Sequence, residues 1–96
     1  MKIRVKPFLT LRQIMGAQRE FELEVEDMTI RGLLDLLCEA FGQELNDAIF
    51  DRKTNDVHET LKILINGRHY SSLPGKLETR LQESDEIALF PAIAGG

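Results

Sequence analysis

Few groups in this 96-residue chain have the type and spacing to do chemistry. Cys38 is the single cysteine, so no intramolecular disulfide and no cysteine-ligated cluster or zinc site can be built from it. It falls in a run of helical spacing, which makes it a small buried hydrophobe rather than a reactive thiol. His58 and His69 have no ligand spacing between them and no neighbour in sequence that would activate them. Glu20, Glu22, Glu24 and Glu26 alternate with apolar residues and read as a solvated strand face, not a metal site. There is no phosphate-binding glycine loop followed by Lys-Ser/Thr, no nucleophile elbow and no zinc-protease motif. What remains is the ending, "EIALFPAIAGG". Pro91 cannot donate to a sheet ladder, so strand pairing should stop beside it. From there to Gly96 the chain can extend roughly 20 Å. Gly95 and Gly96 lack a Cβ, so this end fits a narrow channel and delivers one group, a carboxylate. An ATP-dependent partner can activate such a carboxylate as an acyl-adenylate, from which a sulfur nucleophile displaces AMP.

The rest of the chain must position that end. Apolar residues make up 43% and charged residues 29%, an ordinary globular balance for one domain. The net charge of -4 gives no overall attraction to phosphate backbones or anionic lipid, so neither nucleic acid nor membrane is an expected partner. No apolar run is long enough to span a bilayer, and "MKIRVKPF" lacks a signal-peptide core, so a cytoplasmic location is expected. "KIRVK" and "EFELEVE" alternate as two strands of an antiparallel hairpin, with Phe21, Leu23 and Val25 facing inward. From Thr29, a good N-cap, Ile30, Leu33, Leu34, Leu37, Cys38 and Phe41 recur on one face of a helix closed by Gly42 in a left-handed conformation. Residues 42–60 read as a mostly polar stretch anchored by Ala48, Ile49 and Phe50, with an exposed loop at "DRKTND". Asn66-Gly67 marks a type I′ hairpin turn, and Leu77 and Leu81 share one face of a single helical turn. The last strand, "DEIALF", puts Ile87 and Leu89 on one face and Ala88 and Phe90 on the other.

This order fits a two-layer α+β domain: a mixed sheet of four to five strands with one main helix packed across it. The architecture resembles the β-grasp arrangement of ubiquitin. The expected organisation is a β-grasp domain over residues 1–90 and a flexible tail over 91–96.

"VKPFLTLRQIMG", "ILINGRHY" and "LETRLQESDEIALFPAIAGG" resemble the MoaD/ThiS family of ubiquitin-like sulfur carriers, and MoaD more closely. Asn66 and Gly67 match the family's hairpin, Phe90 and Pro91 its final Phe-Pro, and Gly95 and Gly96 its di-glycine. Two positions depart from the pattern: Ser84 precedes Asp85 where the family commonly has glycine, and Ala92 stands where it commonly has a second proline. The resemblance implies a carrier without catalytic side chains of its own. A MoeB-type adenylyltransferase, using ATP with Mg, would adenylate Gly96, and a sulfur donor enzyme would convert it to a thiocarboxylate. The tail, Pro91, Ala92, Ile93, Ala94 and Gly95, would then enter a MoaE-like large subunit of molybdopterin synthase. The chain itself would bind no cofactor and no metal. Sulfur supply for tRNA thiolation or thiamine synthesis, conjugation to lysines as a protein modifier, and a plain β-grasp interaction module are the alternatives. Phe8 and Phe90 stand as docking residues beside the tail, or as side chains that pack against the tail or the core edge. Arg12 and Arg68 are weaker docking candidates.

Overall fold

A computed structural model describes residues 1–91. Five strands form one mixed sheet: β1 (Lys2–Pro7), β2 (Phe21–Glu24), β3 (Lys62–Ile65), β4 (Arg68–His69) and β5 (Glu86–Phe90). Their spatial order is β2-β1-β5-β3-β4. The first hairpin is antiparallel, β1 and β5 run parallel, and β3 is antiparallel to both β5 and β4. The last strand is therefore central and paired on both sides. Pro7 is tolerated inside β1 because β2 pairs only as far as Val5 with Phe21, so the amide that proline lacks has no neighbour to meet.

The register sorts the two faces. Ile3, Val5, Ile63, Ile65, Ile87 and Leu89 point into the core, each 7% exposed or less. Helix α2 (Ile30–Phe41) covers them with Ile30, Leu33, Leu34, Leu37 and Cys38. The helix starts where expected: the Thr29 hydroxyl accepts from the Gly32 amide at 3.1 Å. Gly42 ends it at φ +91° and ψ -169°, a positive-φ conformation but not the left-handed helical one expected.

Other parts of the chain fold differently from the sequence expectation. Residues 10–14 form a short helix, α1 (Thr10–Ile14), within the connector of the first hairpin. The polar stretch after Gly42 opens with a second helix, α3 (Gln43–Ile49), which buries Leu45 and Ile49. Gly42 lets the chain re-enter helix at once: the Asn46 amide donates to the Gly42 carbonyl at 3.2 Å. Leu77 and Leu81 are both buried but do not share a helical turn. A 3₁₀ turn covers Lys76–Glu78 only, and Leu81 lies beyond it, its amide donating to the Met28 carbonyl at 2.9 Å. In β2, Phe21 and Leu23 are half-buried rather than fully inward, because β2 is an edge strand.

Candidate functional site

The site of interest is where β5 ends. Asn66-Gly67 turns the chain between β3 and β4, with φ values of +50° and +85° suited to a type I′ turn. Asn66 has a second task that its turn propensity does not announce. Its side-chain oxygen accepts from the Glu86 amide at 3.0 Å, and its side-chain amide donates to Asp85 Oδ1 at 2.9 Å. Asp85 Oδ2 in turn accepts from the Gln82 amide at 2.8 Å. This clamp fixes the first residue of β5. The other end of the strand is fixed by the Phe8 amide, which donates to the Leu89 carbonyl at 3.0 Å.

Beyond that bond the two candidate aromatics meet. The rings of Phe8 and Phe90 stack with centroids 4.2 Å apart and planes 7° from parallel. Both are half-buried. Each ring packs on the other and still presents surface. The Arg12 guanidinium lies 5.5 Å from the Phe8 ring centroid, and its Nε donates to the Pro7 carbonyl at 3.2 Å. Arg68, the weaker candidate on the two-residue β4, is exposed and belongs to no part of this cluster. Lys62 pairs in register with Phe90 and is exposed. On the same outward face, a cross-strand ion-pair ladder links Lys6 and Arg4 to Glu86, at 3.1 and 3.6 Å.

Pairing ends at Phe90, as the proline after it requires. Pro91 is half-buried and borders a shallow cleft of about 260 Å³ with Asp47, Ala48, His58, Thr60 and Leu61. His58 contacts the Asp47 carbonyl through Nε2 at 3.0 Å. This cleft is not foreshadowed by any local pattern, because α3 supplies one of its walls. Ala92, Ile93, Ala94, Gly95 and Gly96, on which the proposed chemistry falls, lie outside the described residues.

Cys38 is buried on α2. The residue is 8% exposed, and burial, reinforced by the charge of Asp35 and opposed by a hydrogen bond with Asn46, pushes its pKa up to about 11. It is a neutral thiol at physiological pH, so it has little nucleophilic character. Among the described residues no group of three His, Cys, Asp or Glu side chains is placed to hold a metal ion. Among them, too, no helix is long and apolar enough to cross a membrane.

A sequence model of the ThiS family matches residues 5–96. A candidate sulfur carrier protein of Archaeoglobus fulgidus is 29% identical over 79 residues, covering 82% of this chain and 86% of that one. Small archaeal modifier protein 3 of Haloferax volcanii is 27% identical over 96 residues, the whole of both chains. The solution structure of small archaeal modifier protein 1 from Methanosarcina acetivorans superposes with a TM-score of 0.81 at 31% identity, covering 99% of this chain and 96% of that one.

Proposed function

Because the chain belongs to the ThiS family of ubiquitin-like sulfur carriers, we propose that its working group is the carboxylate of Gly96, activated by a partner enzyme and converted to a thiocarboxylate. A carboxylate oxygen attacks the α-phosphorus of ATP and releases pyrophosphate. The terminal sulfur of a persulfide on a donor enzyme then attacks the acyl carbon and displaces AMP, and a second thiol cleaves the resulting acyl disulfide, releasing the thiocarboxylate and leaving the two thiols joined as a disulfide. The activating partner is a MoeB-type adenylyltransferase, which binds the ATP and Mg. Residues 91–96 then insert into the large subunit of a molybdopterin synthase, where the thiocarboxylate gives its sulfur to a pterin precursor. The chain is a co-substrate in this scheme, and side-chain catalysis belongs to its partners.

One observation carries the reading. The strand that leads to the tail is central in the sheet, paired on both sides, and stops at Phe90. Residues after Pro91 therefore start from a rigid point beside an aromatic pair that can dock. An edge strand would fray and carry the reactive end with it.

Intact-mass measurement tests this after incubation with ATP, a MoeB-type enzyme and a sulfur donor. The parent chain should gain the oxygen-for-sulfur increment. Deletion of Gly96, or Gly95→Trp, should abolish it with the thermal transition unchanged. A parent chain that gains nothing from any cognate enzyme would refute the proposal.

A second reading is favoured by the names of two relatives, which are modifier proteins. In it, a lysine amine attacks the same activated Gly96 and forms an amide. Recovery from cells of lysine-linked adducts of this chain would support it, and their absence alongside an abundant thiocarboxylate would sink it.

A further inference from the structure

One long side of the sheet is open. β1 pairs with β2 on one side, and nothing among the described residues pairs with it on the other. The ladder decides which backbone groups face the open side. The Val25 amide donates to the Met1 carbonyl at 2.8 Å, and the Met1 ammonium donates to the Val25 carbonyl at 2.7 Å, so these two residues exchange both bonds. In an antiparallel ladder such pairs recur at every second residue. Ile3 with Leu23 and Val5 with Phe21 are therefore bonded pairs as well. The amides and carbonyls of Glu22 and Glu24 point the other way, toward the open edge.

The side chains divide by the same alternation. Glu20, Glu22 and Glu24 are exposed on the sheet face away from α2. Phe21 and Leu23 lie on the α2 side and are half-buried, whereas Ile3 and Val5, one strand further in, are fully buried. Phe21 leans on Phe41 at the end of α2, with ring centroids 6.0 Å apart. The open edge thus has an apolar lip on one face and carboxylates on the other. A shallow hollow of about 430 Å³ lies at its start, lined by Arg4, Glu20, Phe21 and Glu22. Lysine, proline or a bulge commonly closes such an edge to further strands, and "FELE" has none of the three.

β1 shows what fits against this strand. Its run Lys2-Ile3-Arg4-Val5 sets Lys2 opposite Glu24 and Arg4 opposite Glu22, with Ile3 and Val5 on the apolar side. Arg4 also pairs with Glu20 at 3.4 Å. We propose that the open edge of β2 binds an extended segment of a partner protein with the same alternation, apolar-basic-apolar-basic-apolar, added as an antiparallel strand. The two basic residues lie opposite Glu22 and Glu24, exchange main-chain bonds with them and share their face, where opposite charges attract. The apolar residues share the face of Phe21 and Leu23 and complete their burial. A second copy of this chain does not fit. Two β2 edges would set glutamates against glutamates, and β4, at the far edge of the sheet, has only two residues. β1 separates this edge from β5, and the binding asks nothing of Gly96.

The probe is a capped peptide, acetyl-Thr-Val-Lys-Ile-Arg-Val-Thr-amide, titrated into the full chain and followed by amide NMR and hydrogen exchange. Binding should shift the Glu22 and Glu24 amides and slow their exchange about 10-fold once free peptide reaches about ten times Kd. Glu22→Gln should weaken binding about 2- to 5-fold, the scale of one exposed ion pair, with Tm unchanged. A peptide N-methylated at its lysine and arginine should not bind, because those amides enter the ladder. One N-methylated at its isoleucine, whose amide faces away, should bind as the parent peptide does. Equal binding by the peptide methylated at the basic residues overturns strand addition and leaves charge attraction alone. Equal binding by a peptide of the same composition with its basic residues moved to the apolar positions overturns the alternation. Unchanged affinity of Glu22→Gln, or no shift at Glu22 and Glu24 with millimolar parent peptide, overturns the proposal.

Discussion

Removing the Asn66 side chain should loosen the strand that carries the tail, and the size of the effect follows from its contacts. Asn66→Ala deletes two hydrogen bonds, to the Glu86 amide and to Asp85 Oδ1. Both are exposed, so about 0.5–1 kcal/mol each is appropriate, at the lower end for such bonds. Alanine must also adopt φ +50°, which costs an L-residue with a Cβ about 1–2 kcal/mol. Asparagine carries less of that cost because its polar side chain bonds locally. The expected loss is about 2–3 kcal/mol, a fall in Tm of about 10–20 °C for a domain of this size. Asn66→Gly loses the same hydrogen bonds without the backbone penalty, while giving the unfolded chain more freedom. It should recover about 0.5–1 kcal/mol relative to alanine. Urea denaturation of the three proteins, with equal m-values, measures these differences. A loss under about 0.5 kcal/mol for Asn66→Ala would show that the clamp does not hold β5. Equal losses in the two variants would show that the turn conformation plays no part.

Two further outcomes can be checked on the isolated chain. Gly32 lies in the first turn of α2, where an added Cβ would meet Met28 Cβ at 3.4 Å and Thr29 Oγ1 at 3.5 Å, both ordinary contacts. Gly32→Ala should therefore stabilise by about 0.5 kcal/mol and raise Tm by about 2–4 °C, read by thermal denaturation; a fall would show that Met28 cannot accommodate the methyl group. Cys38 has a folded pKa raised to about 11 by burial first and by Asp35 second. Its contribution to stability is complete below the unfolded thiol's pKa and is lost as pH rises through the folded value, because the unfolded chain releases its proton first. Between about pH 9 and pH 11 the parent should lose stability faster than Cys38→Ala, and parallel curves would refute the burial argument.

Much of the fold was legible in local sequence. Alternation marked β1 and β2, helical spacing with Thr29 marked α2, and Asn66-Gly67 marked the second hairpin. These signals need only a residue and its near neighbours. α3 was not legible because its seven residues place just Leu45 and Ile49 on the buried face, too few for a period, and its polar remainder looks like a loop. α1 is a single turn and is shorter than any periodicity. The double duty of Asn66 was hidden because its partners, Asp85 and Glu86, come from the other end of the sheet's history, on β5 and the turn before it.

The candidate site divides in the same way. By itself the sequence determined the chemical inventory: a lone cysteine at helical spacing, and a di-glycine after a strand-stopping proline. Those are properties of residue type and order. Tertiary structure decided where the last strand is held and what stands beside Phe90 and Pro91. Parallel pairing of β1 with β5 brings Phe8 onto Phe90, and α3 and His58 wall the cleft at Pro91. Neither could be read from local pattern, because each depends on a register between segments distant in sequence. That register is set by burying Ile3, Val5, Ile87 and Leu89 on one face, and a slip of one residue would turn all of them to water.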